Sequence, residues 1–416
     1  MKINRAYRVE IDPNNVQRTA LLRHAGCARW AYNWGLRRKI EEYEANGKSP
    51  GAMALHRDLN VLKKTDPEDG GTPWMYEVSK CAPQEALRDL DRAFQHFFRR
   101  CKQGDASQRK GFPRFKSRKR GIGGFRLTGT IKVSEDGRHV QLPKLGLLRV
   151  KERGYLPGPD CDDVRILSAT VTEQAGHWFV SLAVEQEVAD PTPTGDTLGN
   201  AVGVDVGIKT LATVSDGRTF DNPKSLRRAE ARLRRLQKAV SRKQRGSNNR
   251  RKAVEQLRRQ HYRVACIRRD SIHKATSAIT KSASVIGIET LNVKGMMQNM
   301  RLSKALSDAS LSEFLRQIEY KARWRGAVVV KADRFYPSSK TCSGCGEVEA
   351  DLTLGDRTYK CESCGLEIDR DLNAAINLRA LAVSSTVSAC GEDVRPTPPC
   401  AGDAASLKQE PNSKAA

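Results

Sequence analysis

Nowhere in the 416 residues is there an apolar run of about eighteen, which excludes a membrane-spanning helix. Nothing N-terminal resembles a secretory signal, so a reducing cytosol is the expected compartment. A disulfide framework is missing too. Of eleven cysteines, seven (Cys27, Cys81, Cys101, Cys161, Cys266, Cys390 and Cys400) stand singly in a long chain and read as small hydrophobes. Acidic residues are too few to balance the basic ones: 48 Asp and Glu face 73 Lys and Arg, which leaves a formal charge of +25. A chain that basic needs a polyanion beside it, and nucleic acid is the default partner. Hydrophobic residues make up 38%, enough for packed cores, and the length implies about two to four domains.

The remaining four cysteines form two Cys-x-x-Cys knuckles, Cys342-Ser-Gly-Cys345 and Cys361-Glu-Ser-Cys364. The two-residue spacing lets both sulfurs of a knuckle face one ion, and Gly346 and Gly365 free the backbone to turn, so one tetrahedral Zn²⁺ site is expected. The competing reading, two structural disulfides, needs an oxidising compartment. Whether this ribbon touches nucleic acid or only staples the fold stays open at this point, but so small a module has too little core to fold without its metal.

Along the chain, Asp12-Pro13-Asn14 opens a helical run in which Leu21, Leu22, Ala25, Ala28, Trp30 and Trp34 form apolar faces. A second run from Pro83 carries Ala86, Leu87, Leu90, Phe94, Phe97 and Phe98 at helical spacing. Gly111–Arg120 then interleaves aromatics with cations, including Arg114 and Lys116; it reads either as a surface that stacks bases or as a solvated basic linker. Short strands follow at Thr130–Val133, Val140–Leu142, Ile166–Thr172 and Trp178–Val184, a small β domain ended by the Pro-rich linker Asp190–Asp196. Beyond Val383 the composition predicts disorder to Ala416.

Three acids stand out between linker and tail. Ala201–Val214 reads as two strands joined by a tight glycine turn, and Asp205 lies inside the otherwise apolar first strand, where a lone carboxylate is costly unless something compensates it. Val285–Glu289 reads as an apolar strand that ends on an acid, Glu289, and Asp371 opens a last helix, Leu372–Leu381, with Asp369 as runner-up. A capping box of Ser310 and Glu313 is expected to start a helix before the strand Ala327–Val330, and a further strand is expected near Arg218–Phe220. This element order resembles a ribonuclease H-like fold, in which three such acids hold two Mg²⁺ ions and hydrolyse phosphodiesters. Singly, each acid also reads as a turn residue, a strand end or an N-cap. Between the first two lies the most basic stretch: Lys224 to Arg269 holds eighteen Lys and Arg against Glu230 and Glu255, sixteen of the surplus twenty-five charges. Its leucine and valine spacing suggests a helical hairpin laid against phosphate, with Arg234, Arg235 and Lys243 as candidate contacts.

Gly203-Val-Asp205-Val-Gly-Ile-Lys, Gly287-Ile-Glu289, Tyr336-Pro-Ser-Ser-Lys-Thr-Cys342-Ser-Gly-Cys345-Gly and Asp369-Arg-Asp371-Leu-Asn-Ala-Ala-Ile-Asn together resemble the TnpB family, RNA-guided nucleases of insertion sequences related to compact type V CRISPR effectors. The resemblance is specific in the C-terminal half and looser before Phe125. It implies a multidomain α/β protein: a first wedge β-barrel strand (1–11), a helical recognition domain (12–120), the rest of the wedge (121–195), a RuvC-like, ribonuclease H-like nuclease domain (196–335) with its basic hairpin at 222–275, a target-binding zinc ribbon (336–367), a last nuclease helix (368–383) and a disordered tail (384–416). It also implies Asp205, Glu289 and Asp371 as catalytic Mg²⁺ ligands, Cys342, Cys345, Cys361 and Cys364 around one structural Zn²⁺, a guide RNA from the transposon end, and a double-stranded DNA target beside a short flanking motif. By position, Lys80, Gln84 and Thr128 are the candidates for reading that motif. Guide pairing would supply sequence specificity. The expected setting is a bacterial or archaeal cytoplasm and the expected state a monomer. The rival reading is a catalytically silent or unguided nucleic-acid-binding or transposition accessory protein.

Overall fold

The computed structural model describes residues 2–103, 111–158, 163–187, 200–349, 351–353 and 355–390, the side chains of 120 and 387–390 excepted. Cys161, Cys400, the linker Asp190–Asp196 and the tail from Gly391 lie outside the described residues. Two compact units result, Met1–Val188 and Ala189–Ala416. No helix among the described residues is long and apolar enough to cross a membrane.

The first unit runs β1 (Lys2–Ile11), α1 (Asn15–Asn46), α2 (Ala52–Leu62), α3 (Cys81–Lys102), β2 (Gly124–Leu127), β3 (Lys132–Val133), β4 (His139–Leu142), β5 (Gly146–Arg149), β6 (Val164–Gln174) and β7 (His177–Glu187). Asn14 starts α1 with a reciprocal capping box to Gln17. Gly35 lets three helices meet, since a Cβ there would sit 2.6 Å from Leu87 and 3.4 Å from Leu55. Leu21, Leu36, Leu55, Leu59, Leu87 and Leu90 are wholly buried in that core, whereas Leu22 and Phe98, expected on the apolar faces, are exposed. Strand β1 pairs with β7 along its full length, in an antiparallel sheet of order β1-β7-β6-β2. Strands β3, β4 and β5 form a second sheet, linked to the first through an isolated bridge, Ile11 to Val150.

The second unit runs β8 (Ala201–Val206), β9 (Thr210–Val214), β10 (Thr219–Asp221), α4 (Ser225–Ser241), α5 (Asn248–Ser282), β11 (Val285–Ile288), α6 (Val293–Met296), α7 (Ser303–Ala309), α8 (Leu311–Trp324), β12 (Val328–Lys331), β13 (Thr358–Lys360), β14 (Glu367–Asp369) and α9 (Arg370–Cys390). Its main sheet has the order β10-β9-β8-β11-β12, antiparallel up to β8 and parallel from there on. Alternation assigns the two faces. Val202, Val204, Val206, Ile286 and Ile288 join Ile272 and Ile279 of α5 and Phe314 and Ile318 of α8 in one core. Ala201 and Val285, on the opposite face, pack with Ala382 of α9.

Helix α5 differs from the expected hairpin arm ending at 275. It continues to Ser282, because Ile272, Ala275 and Ile279 bury themselves against the sheet, so the basic hairpin grows directly out of a core helix. Within the hairpin Leu233 and Val264 of the expected apolar stripe are buried and Ala253 joins them, whereas Ile267, expected on the same stripe, is exposed. The capping box expected at Ser310 is absent. Ser310 serves as the joint between α7 and α8 with φ of 55°, and its hydroxyl donates to the Ser307 carbonyl instead. Helix α9 also outruns the expected onset of disorder at 384, continuing to Cys390 with Thr386 buried.

Candidate active site

Gly203 and Asp205 are two residues apart on β8, as Gly287 and Glu289 are at the end of β11, so each glycine shares a sheet face with its acid. Gly203 and Gly287 are also register partners. Helix α9 lies directly on this glycine pair: a Cβ at 203 would sit 1.9 Å from the Ala375 carbonyl oxygen, and one at 287 would sit 2.1 Å from that of Leu378. No side chain fits at either place. Asp371 stands one helical turn before Ala375, so the close approach carries it toward the two strand acids.

Electrostatics record the result. Asp205 keeps partial solvent access but lies deep in the protein, and its carboxyl is pushed well above the usual carboxylate range. Burial is the largest cause, followed by the negative charges of Glu289 and then Asp371; Arg370 opposes them. Both other acids therefore act on Asp205. Glu289 accepts a hydrogen bond from the Ser338 hydroxyl at 2.5 Å. Asp369 has a different role: its Oδ1 accepts from the backbone N–H groups of Asp371 (2.9 Å) and Leu372 (3.1 Å), making it the exposed cap of α9.

The two knuckles are built alike. Gly346 and Gly365 take φ of 83° and 73°, and their N–H groups donate to the carbonyls of Cys342 (3.0 Å) and Cys361 (2.9 Å). Cys342 N–H donates to Glu347 and Cys361 N–H to Leu366 in the same way. The four Sγ atoms all lie within 4.8 Å of one another; among the described residues no other group of three or more such ligands is that tight. Four convergent thiols without an S–S pairing fit a tetrahedral Zn²⁺ site, and all four are unpaired by disulfides. Tyr359 fills the small core beneath them.

The ribbon is bolted to α9. Asn373 Nδ2 donates to the Thr341 carbonyl at 2.7 Å while its Oδ1 accepts from Ser343 N–H at 2.9 Å, and Asn377 Nδ2 reaches the carbonyls of Ser338 (2.8 Å) and Thr341 (2.7 Å). Sequence reasoning missed Ser338, Asn373 and Asn377. The asparagines did carry a signal, two amides four residues apart on an otherwise Ala- and Leu-rich helix.

The remaining candidates are spread out. Lys80 and Thr128 line one cavity of about 870 Å³ together with Lys63, Lys64, Lys144 and Tyr76; Gln84 is half-buried one turn further along α3. Phe112 packs edge-on against Phe94 and Phe97, and Lys116 sits over the Tyr32 ring and exchanges two hydrogen bonds with Asn33, so 111–116 is held against α1 and α3. Arg114 is exposed. On the hairpin Arg234 pairs with Glu230, while Arg235 and Lys243 are exposed.

Comparison with known proteins adds the lineage. Residues 181–300 match the OrfB/IS605 profile described as a probable transposase, 312–378 a Cas12f1-like TNB domain, and 1–48 a helix-turn-helix domain. In that last stretch the structure has a strand and one uninterrupted helix, β1 and α1. A Streptomyces pristinaespiralis protein, named provisionally as an RNA-guided DNA endonuclease, is 34% identical over 99% of this chain and 97% of its own length. InsQ of Escherichia coli K12, named in the same provisional way, is 33% identical over 99% and 98%. Among solved structures, a mini-RNA-guided endonuclease, CRISPR-Cas_phi3, matches with a TM-score of 0.48 at 9% identity, covering 92% of each chain. The chain belongs to the TnpB family, the OrfB proteins of IS605-type insertion sequences.

Proposed function

We propose that this chain is an RNA-guided endonuclease of an insertion element that cuts double-stranded DNA beside a short flanking motif, with Asp205, Glu289 and Asp371 as its catalytic carboxylates. The observation carrying this reading is the seating of α9 on Gly203 and Gly287, together with the charge that Glu289 and Asp371 impose on Asp205. The names of the two full-length relatives supply the RNA guidance and the DNA substrate. On this reading the five-stranded sheet with α5, α8 and α9 is a ribonuclease H-like, RuvC-type core, and the guide comes from the transposon end.

The donor set fits hard divalent cations: it is all oxygen, and, after burial, Glu289 and Asp371 raise the pKa of Asp205 more than Arg370, 3.7 Å from Asp371, and a backbone hydrogen bond at Val206 lower it. When bound, two Mg²⁺ ions would supply an activated water and charge stabilisation for the leaving oxygen. Asp205 and Glu289 hold their places through the sheet, and Asp371 through the helix that Asp369 caps. Lys80, Gln84 and Thr128 would read the flanking motif from the lysine-lined cavity. The exposed hairpin cations, with Arg114, would bind phosphate, and the four cysteines would hold one structural Zn²⁺.

The test is cleavage of a plasmid that matches the co-purified RNA and carries a randomised flank. The parent should cut with Mg²⁺ and Asp205→Ala should fall by about a thousandfold or more. Equal cutting by that variant would remove the carboxylate assignment, and cutting without RNA would leave an unguided nuclease.

A further inference from the structure

We propose that Ser338 is a positioning residue for Glu289, and that through it the four-cysteine module sets the geometry of the carboxylate centre. The inference rests on the reading of Glu289 as a cation ligand and adds the group that aims it.

Glu289 follows the last residue of β11, so the strand fixes its backbone but leaves the carboxylate free to swing. The Ser338 hydroxyl ends that freedom by donating to Oε1 at 2.5 Å, in the range of charge-assisted O–H···O⁻ bonds. Ser338 is only 3% exposed, so water competes poorly for this bond. One oxygen held from one side leaves the other oxygen and the remaining lone pairs turned elsewhere. A neutral hydroxyl does this without adding charge to the site.

What holds Ser338 is the root of the ribbon. Its carbonyl accepts from Asn377, the Thr341 carbonyl accepts from Asn373 and Asn377 together, and Ser343, inside the first knuckle, donates to Asn373. Asn373 is fully buried and Asn377 is 5% exposed, so breaking these bonds would strand amides away from water. Both asparagines stand on α9, two and six residues beyond Asp371, about one half-turn and one and two-thirds turns. The segment from Ser338 to Ser343 thus ties the Cys342 knuckle, the helix bearing Asp371 and the carboxylate of Glu289 into one unit. Groups that orient ligands in this way typically change metal affinity by about 10–100-fold when removed.

The experiment compares the full-length parent, Ser338→Ala, Ser338→Cys and Glu289→Gln, purified free of nucleic acid. Mn²⁺ affinity is measured by calorimetry, and zinc content and thermal midpoint are measured on the same samples. Ser338→Ala should keep its zinc and its midpoint but bind Mn²⁺ about 10–100-fold more weakly. In the RNA-bound protein, the Mn²⁺ concentration for half-maximal cleavage should rise in step while target affinity stays constant. Should the alanine variant lose zinc, the isosteric Ser338→Cys, a weak donor, takes its place and should show the same direction of change. Parent-like Mn²⁺ affinity in these variants, with affinity lost in Glu289→Gln, would overturn the positioning role and leave the carboxylate reading standing. Parent-like affinity in Glu289→Gln as well would instead overturn the ligand assignment.

Discussion

One residue, Arg370, separates Asp369 from Asp371, and backbone geometry divides their work: the first accepts the free N–H groups that open α9, while the second adds charge beside Asp205. Asn caps a helix nearly as well as Asp, so Asp369→Asn should cleave like the parent and Asp369→Ala should lose about 1 kcal/mol of stability. Asp371→Asn should fold and fail to cleave. Plasmid cleavage beside denaturant midpoints separates the three. Elsewhere Lys321 donates to the His273 carbonyl, Thr276 and Ser277 between α5 and α8, and burial, aided by Arg325, lowers its pKa to about 8. Between about pH 8 and the ordinary lysine value the unfolded chain binds more protons than the folded one, so stability from this residue rises with pH through that window. The denaturant midpoint of the parent should therefore climb relative to Lys321→Met from pH 8 to 10; a constant gap would refute it. At this scale the two acids that the sequence singled out with Asp205 are the ones whose negative charges act on it, and the four paired cysteines converge, because a lone acid in an apolar strand and paired thiols are conspicuous. Ser338 was invisible, since a serine in Tyr-Pro-Ser-Ser-Lys shows its role only once the chain has folded back to Glu289.

Among elements, the seating of α9 against β8 and β11 is what the proposed centre depends on. Gly203→Ala must displace a carbonyl oxygen 1.9 Å from the new methyl group, and Gly287→Ala one at 2.1 Å; backbone cannot swing aside as a flexible side chain does. Each should cost about 3 kcal/mol or more, read as a lower thermal midpoint, whereas Gly51→Ala, which meets nothing within 4 Å, should change little. Long periodic segments and apolar strands with an acid were legible from sequence. Helix α2 and strand β5 were not, being short and flanked by turn residues that hide their period. Ser310 misled because Ser-x-x-Glu is a capping pattern only when the serine backbone is extended, and here the sharp α7–α8 joint forces it left-handed.

Across the whole molecule, charge and division of labour were the plainest signals. Sixteen of the twenty-five surplus positive charges fall on one hairpin, and such a surface gains affinity for a nucleic-acid polyanion by releasing counterions. Replacing exposed Arg235 and Lys243 with serine should lower the slope of log affinity against log salt by roughly 0.7–0.9 for each phosphate no longer neutralised, with no change in thermal midpoint. The order of parts along the chain has its own result. Strands β8 and β11 precede the ribbon, and the helix that supplies the third acid follows it as the last described element. A polypeptide interrupted during translation before residue 371 holds two acids and an uncovered sheet face. On the proposed reading such incomplete products lack the third carboxylate, so a stop codon placed at 369 should abolish plasmid cleavage by the protein made with its RNA.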